Sequence, residues 1–138
     1  MPIFPSEEWI RELAKVASAS EELKKVGKDW NYGGIIAICE PDDKLKEKYI
    51  AYFLAEKGEL KEARQISSED EVQSQFSVSA PYSLWKKILR KEEDPMQAVM
   101  RGAVKVKGDM SLILKYAPFM MTFFNVLSKV ETKFLDEK

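Results

Sequence analysis

The hydrophobic period of this chain changes from helical to strand-like and back, and few architectures fit that order. Ser6 is placed to cap a helix, with Glu7 and Glu8 at its positive end. Trp9, Ile10, Leu13, Ala14 and Ala17 then form one apolar stripe at helical spacing. Ser18 and Glu21 have capping-box spacing, which predicts a second short helix that carries Leu23 and Val26 inward and stops near Gly27. Between Trp30 and Glu40 the run Ile35-Ile36-Ala37-Ile38-Cys39 reads as a strand buried on both faces. Gly33-Gly34 beside it suits a bulge or a close backbone approach. After a turn at Pro41-Asp42-Asp43, Lys48 to Glu56 reads as a second strand and the polar stretch Leu60 to Ile66 as a third, at a sheet edge. Glu71 to Ala80 alternates, which predicts a fourth strand with Val72, Phe76, Val78 and Ala80 on one face and a wet opposite face.

Helical spacing then returns. Pro81 can open a helix carrying Leu84, Trp85, Ile88 and Leu89, and Asp94-Pro95 starts another that turns Met96, Val99 and Met100 inward and ends at Gly102. A short fifth strand is expected from Ala103 to Lys107. Asp109 caps a helix with Leu112, Ile113 and Tyr116, and Pro118 breaks or restarts it before a final helix running to about Lys133. Four strands precede the later helices. This order predicts a single α+β domain over residues 1–138, with helices over one face of a mainly antiparallel sheet.

Composition removes much of the usual catalytic repertoire. The 138 residues contain no histidine, which excludes histidine triads, histidine general bases and histidine-containing metal sites. The single Cys39 excludes an internal disulfide and a CxxC motif, and its place in an Ile/Ala run predicts a buried, inert thiol. Twenty-two basic against 23 acidic residues leave a net charge of −1, without the basic excess of a nucleic-acid binder. No metal and no cofactor are expected. No signal peptide or membrane span is visible, and the cytoplasm is the expected location.

The carboxylate groups at 42–43, 69–71 and 92–94 read as solvated turns and caps, and no serine has a nucleophile-elbow context. Lys115 with Tyr116, or a buried Glu with a shifted pKa, is the best acid/base candidate the chain offers, and the protein is read as non-enzymatic. The basic residues between Lys86 and Lys115 fit outer helix faces. They also suit at most a transient contact with anionic lipid headgroups.

The informative excess is apolar. From Met96 to Leu127 the chain carries more Met, Phe, Leu, Ile and Val than one helix stripe can bury. Methionines at 100, 110, 120 and 121 suit irregular apolar surfaces. Ordinary core, a ligand cavity and a dimer interface all fit this excess, so both monomer and homodimer stay open.

The stretch from Phe76 to Leu127 resembles the sterol carrier protein 2 family of lipid-transfer domains. The matching residues are Phe76-Ser77-Val78-Ser79-Ala80, Tyr82, Trp85-x-x-Ile88, Asp94-Pro95-x-x-Ala98-x-Met100-x-Gly102 and Val104-Lys105-Val106-Lys107-Gly108-Asp109. The resemblance implies a five-stranded sheet with helices on one face, enclosing an apolar tunnel of roughly 300–1,000 Å³ for a fatty acid, acyl chain, isoprenoid or sterol-like ligand. Residues expected to line it are Phe76, Val78, Trp85, Ile88, Met96, Met100 and Val104, with Ile113, Tyr116, Phe119, Met120 and Phe123 closing the mouth. A protein-interaction module, or an accessory that presents a lipid to an enzyme, is the competing reading.

Overall fold

Ser6 and Ser20 each turn a hydroxyl back onto a helix start, accepting from the backbone N–H of Trp9 and Leu23. They cap α1 (Glu7–Ser18) and α2 (Glu21–Val26), so the second cap is Ser20 and not the expected Ser18. The computed structural model describes residues 1–137. After α2 come β2 (Gly34–Glu40), β3 (Tyr49–Glu56) and β4 (Glu59–Ile66), following a two-residue β1 (Ile3–Phe4) at the start of the chain. A 3-10 turn at Glu69–Glu71 leads to β5 (Phe76–Pro81), α3 (Tyr82–Leu89), α4 (Pro95–Met100) and β6 (Lys105–Lys107). The chain then runs through α5 (Met110–Lys115), α6 (Ala117–Lys129) and β7 (Lys133–Phe134).

The five-stranded sheet has the order β4-β3-β2-β5-β6, with β2 and β5 parallel and the other neighbours antiparallel. The expected α+β fold with a mainly antiparallel sheet is what the chain forms. Register assigns the side chains to faces, because directly paired residues project to the same side. Ile35 pairs with Phe53, Ala37 with Ala51 and Cys39 with Tyr49, while Phe76, Val78 and Ala80 of β5 continue the same face. That face packs under the helices in the main core. The opposite face carries a second, smaller cluster of Ile36, Ile38, Ile50, Tyr52 and Ile66. It is therefore dry over β2 and β3, and polar at both margins, with Glu62 and Arg64 on β4 and Ser77 and Ser79 on β5.

Three expectations need correction. The fourth strand starts at Phe76, five residues later than its alternation suggests. Val72 lies in the preceding loop and packs on the opposite face with Ile36 and Ile38. Capping of the 3-10 turn by Ser68 and Glu71 holds the chain out of the ladder there. In α4, Met100 is 84% exposed and Ala98 is the fully buried residue. Two residues along a helix are about 200° apart, so a helix seated on Ala98 turns Met100 to solvent. The final helix ends at Lys129, and the chain then forms β7, which pairs in parallel with β1.

This small ladder ties both ends of the chain to the helices. The Trp9 indole N–H donates to Thr132 Oγ1 at 2.8 Å, and the Tyr82 hydroxyl donates to Asp136 at 2.7 Å. Lys86 pairs with both Asp136 and Glu137. Phe4 stacks on Tyr82 and meets Trp9 and Phe134 edge-on.

Candidate functional site

The helix-facing side of β2 and β3 changes character along its length. At one end Ile35 and Phe76 meet Trp30, which contacts Phe119 at 5.5 Å and Tyr116 at 5.2 Å between ring centres. Phe119 and Trp30 are fully buried, and a Cβ on Gly27 would lie 2.7 Å from the Phe119 ring. Glycine is needed there so that α2 can close on α6. The space between Trp30 and Phe119 is filled.

Toward the other end the sheet presents Ala37, Cys39 and Ala51. These small side chains cannot reach the helices above them, and voids remain. One cavity of about 60 Å³ is lined by these three residues together with Phe4, Pro5, Ser6, Trp9, Ile10, Tyr49, Phe53, Trp85, Leu89 and Leu127. A second cavity, also about 60 Å³, is lined by Ile35, Ala37, Phe53, Val78, Trp85, Met120, Phe123, Phe124 and Leu127. Ala37, Phe53, Trp85 and Leu127 belong to both walls and so form the partition between them. The Trp85 indole N–H donates to the Ile38 carbonyl at 2.9 Å, which pins the largest partition residue to the sheet. Phe124 stacks on Trp85, and Phe123 meets Phe53 edge-on.

The walls are apolar, and their few polar groups are mostly accounted for. Ser6 donates to the Ile3 carbonyl and accepts from Trp9 N–H. Burial holds the Cys39 thiol well above its ordinary pKa, and the charges of Asp42 and Glu40 push it the same way. Tyr49 is the exception. Its phenol oxygen is shut off from solvent and has no hydrogen-bond partner among the described residues. Among the described residues no cluster of three or more carboxylate or thiol groups is placed to hold a metal ion, and no helix is long and apolar enough to cross a membrane.

The structure brings together four of the twelve residues proposed from the sequence. Val78, Trp85, Met120 and Phe123 line the second cavity. Phe76, Val104 and Phe119 are closed core, and Ile88 is buried beside a polar groove between α3 and α6. Ile113 is half-buried against the core, and Met96 is half-buried in α4. Tyr116 lines a shallow outer depression and donates its hydroxyl to the Asp29 carbonyl. Met100 borders neither cavity. An apolar tunnel of the expected size is not what the helices cover; two separate voids stand in its place.

Of the first cavity's lining the sequence reading named only Trp85. The cavity's signal lay in the small residues at alternate positions, Ala37 and Cys39, with Ala51 facing Ala37 across the ladder.

The model of the SCP-2 sterol transfer family matches residues 39–121. A crystal structure of sterol carrier protein 2 superposes with a TM-score of 0.82 at 22% identity, covering 91% of this chain and 98% of that one. The solution structure of a conserved hypothetical protein from Thermus thermophilus, described as possibly a sterol carrier protein, gives 0.80 at 21% identity, covering 93% and 90%. The inverting sec-alkylsulfatase Pisa1 from Pseudomonas sp. gives 0.50 at 20% identity, covering 84% of this chain but 16% of the sulfatase. These likenesses show a shared fold. A search of curated protein sequences finds no match.

Proposed function

The chain belongs to the SCP-2 sterol transfer family, and from that membership we propose that it binds a lipid-like ligand without chemistry and carries it between sites. The observation that supports this most is the pair of apolar cavities separated only by side chains, chiefly Trp85 and Leu127. Each void alone holds a few atoms. Rotation of Leu127 and a small outward shift of α6 would join them into one elongated cleft between sheet and helices.

Four residues of α6, Met120, Phe123, Phe124 and Leu127, supply one side of that cleft. The helix begins at a break after Tyr116, where the backbone leaves helical geometry between α5 and α6. With Phe119 held in the packed end of the helix, movement of its Phe123–Leu127 half admits and releases the ligand. Burial of the ligand's apolar area, at about 25 cal/mol per Å², supplies the affinity. No bond is made or broken, in keeping with a chain that has no histidine. The protein would act in the cytoplasm as a monomer or homodimer, with at most transient contact at membrane surfaces.

Native mass spectrometry of the purified protein, followed by organic extraction, tests this. A near-stoichiometric fatty acid, isoprenoid or sterol-like adduct is the expected result. A bare mass that persists after incubation with lipid vesicles would overturn it. A bare dimer would favour a protein-interaction module.

A further inference from the structure

We infer that the helix-free face of the sheet carries a second binding site, a trough over β2, β5 and β6 that takes the phosphate group of a phosphate ester through Ser77, Lys105 and Lys107. This site goes beyond the lipid-binding reading and does not depend on it.

The ladder brings these residues together. Ser77 pairs with Ile36 on one side and Lys107 on the other, and Ser79 pairs with Ile38 and Lys105. All of them therefore project away from the helices, because directly paired residues share a side. Nearer the β4 edge that face is covered by the connection from β4 to β5, whose Val72 packs on the isoleucine cluster. A trough of about 620 Å³ remains beside it, with Ile38, Ser77 and Ser79 in its lining and Lys105 and Lys107 along the sheet edge.

Ser77 is the observation that points to a ligand. It is only 7% exposed, yet its hydroxyl makes no hydrogen bond among the described residues. Unlike the Tyr49 phenol it is not sealed, and its remaining surface opens into the trough. A hydroxyl so buried gains from a partner that reaches it from there. Its neighbour Ser79 is already committed, donating to Glu40 Oε1 at 3.3 Å.

The charges around Ser77 select an anion. Glu40, Lys48, Glu69, Lys105 and Lys107 line the trough. Glu40 is met by Lys48 at 3.7 Å, and Glu69 belongs to the 3-10 turn of the connection. Lys105 and Lys107 stand exposed on β6, with no carboxylate at ion-pair distance among the described residues. Two residues apart on one strand, they lie roughly 7 Å from each other, and Lys107 is directly beside Ser77. Flexible ammonium groups at that spacing can close on a phosphate from two sides while the serine hydroxyl donates to a further oxygen. A carboxylate has only two oxygens and is matched better by the planar fork of arginine, which the trough lacks. Lysines on an edge strand also deter pairing with other chains, but that role calls for no partnerless buried serine beside them.

The test titrates glycerol 3-phosphate, with acetate as control anion, into the protein at low ionic strength and follows backbone amide NMR shifts. Glycerol 3-phosphate should give saturable shifts centred on Ser77, Lys105 and Lys107, and acetate should bind about tenfold more weakly or worse. Ser77→Ala and Lys107→Gln should each weaken glycerol 3-phosphate about tenfold, the range of one charge-assisted hydrogen bond. Lys61→Gln, the same loss of charge on β4 at the opposite edge, should leave its affinity within about twofold. Absence of saturation, an unchanged affinity in Ser77→Ala, or an equal loss in Lys61→Gln overturns the site. Cosedimentation with phosphatidylcholine vesicles containing phosphatidic acid identifies the source of the phosphate. Sedimentation that Lys107→Gln abolishes supports a lipid headgroup in the trough, and saturable glycerol 3-phosphate binding without sedimentation supports a free phosphate ester there.

Discussion

The two ends of the helix–sheet interface are built by opposite means. At the Trp30 end, large rings fill the space between β2, β5 and α6 until only a glycine fits at position 27. At the Trp85 end, alanines and a cysteine on the sheet leave two voids under the same helix. One helix serves both: Phe119 plugs the first end, while Phe123, Phe124 and Leu127 border the second. A packed anchor can thus hold α6 in place while its other half moves over a cavity. Close-packed interiors lose stability with each missing methylene, whereas a void tolerates added volume.

Substitutions at the two ends should therefore differ in kind. Phe119→Ala should have the largest effect on stability, a loss of about 3–5 kcal/mol measured by urea unfolding, because the ring is fully buried among Trp30 and α2. A loss below about 1 kcal/mol would mean that this end is not the anchor. Gly27→Ala should cost about 1–3 kcal/mol by the same measurement, since its Cβ would fall within 2.7 Å of the Phe119 ring and 2.9 Å of the Gly58 backbone.

A third prediction uses Cys39 in the void. The buried thiol keeps its proton when folded, whereas the unfolded chain releases it near 9.0. Ionisation then favours the unfolded state. Stability from this group is intact below pH 9 and falls as the pH rises above it, by about 1.4 kcal/mol per unit at the full slope. Cys39→Ala should flatten the alkaline limb of the stability–pH curve by one proton, and an unchanged limb would show the thiol ionising freely in the folded protein. The smallest change in stability is expected from Ala37→Val, within about 1 kcal/mol, because Ala37 borders both voids. The same substitution should weaken ligand binding at least tenfold, read by displacement of a fluorescent probe. If it instead destabilised the protein as much as Gly27→Ala, the contrast between the ends would collapse.

The packed end was more legible in the sequence than the open one. The run Ile35 to Cys39 showed a strand with apolar residues on both faces, and alternation placed Phe76, Val78 and Ala80 together, as the β2–β5 register has them. Large residues carry periodicity. A void is defined by what small residues fail to fill, so Ala37, Cys39 and Ala51 read as ordinary core until the ladder set them side by side. Phe4 and Trp9 come to the cavity through β1 and β7, two-residue strands too short to show a period. Met100 failed for a different reason. With only six residues in α4, one buried alanine decides the facing of the whole helix.

The pairing of β1 with β7 bears on the order in which the molecule is completed. Phe4 emerges from the ribosome well before its ladder partner Phe134, with almost all of the described chain between them. Until then the segment Phe4 to Ser6, which forms the outer wall of the first cavity, is held by Trp9 and Tyr82 without the ladder that fixes it. The cavity is thus sealed only after the β7 segment has been made, and a hydrophobic molecule present before that moment meets an open trough. For the lipid binding proposed above, loading during translation and later exchange through α6 would be two separate routes to the same ligand.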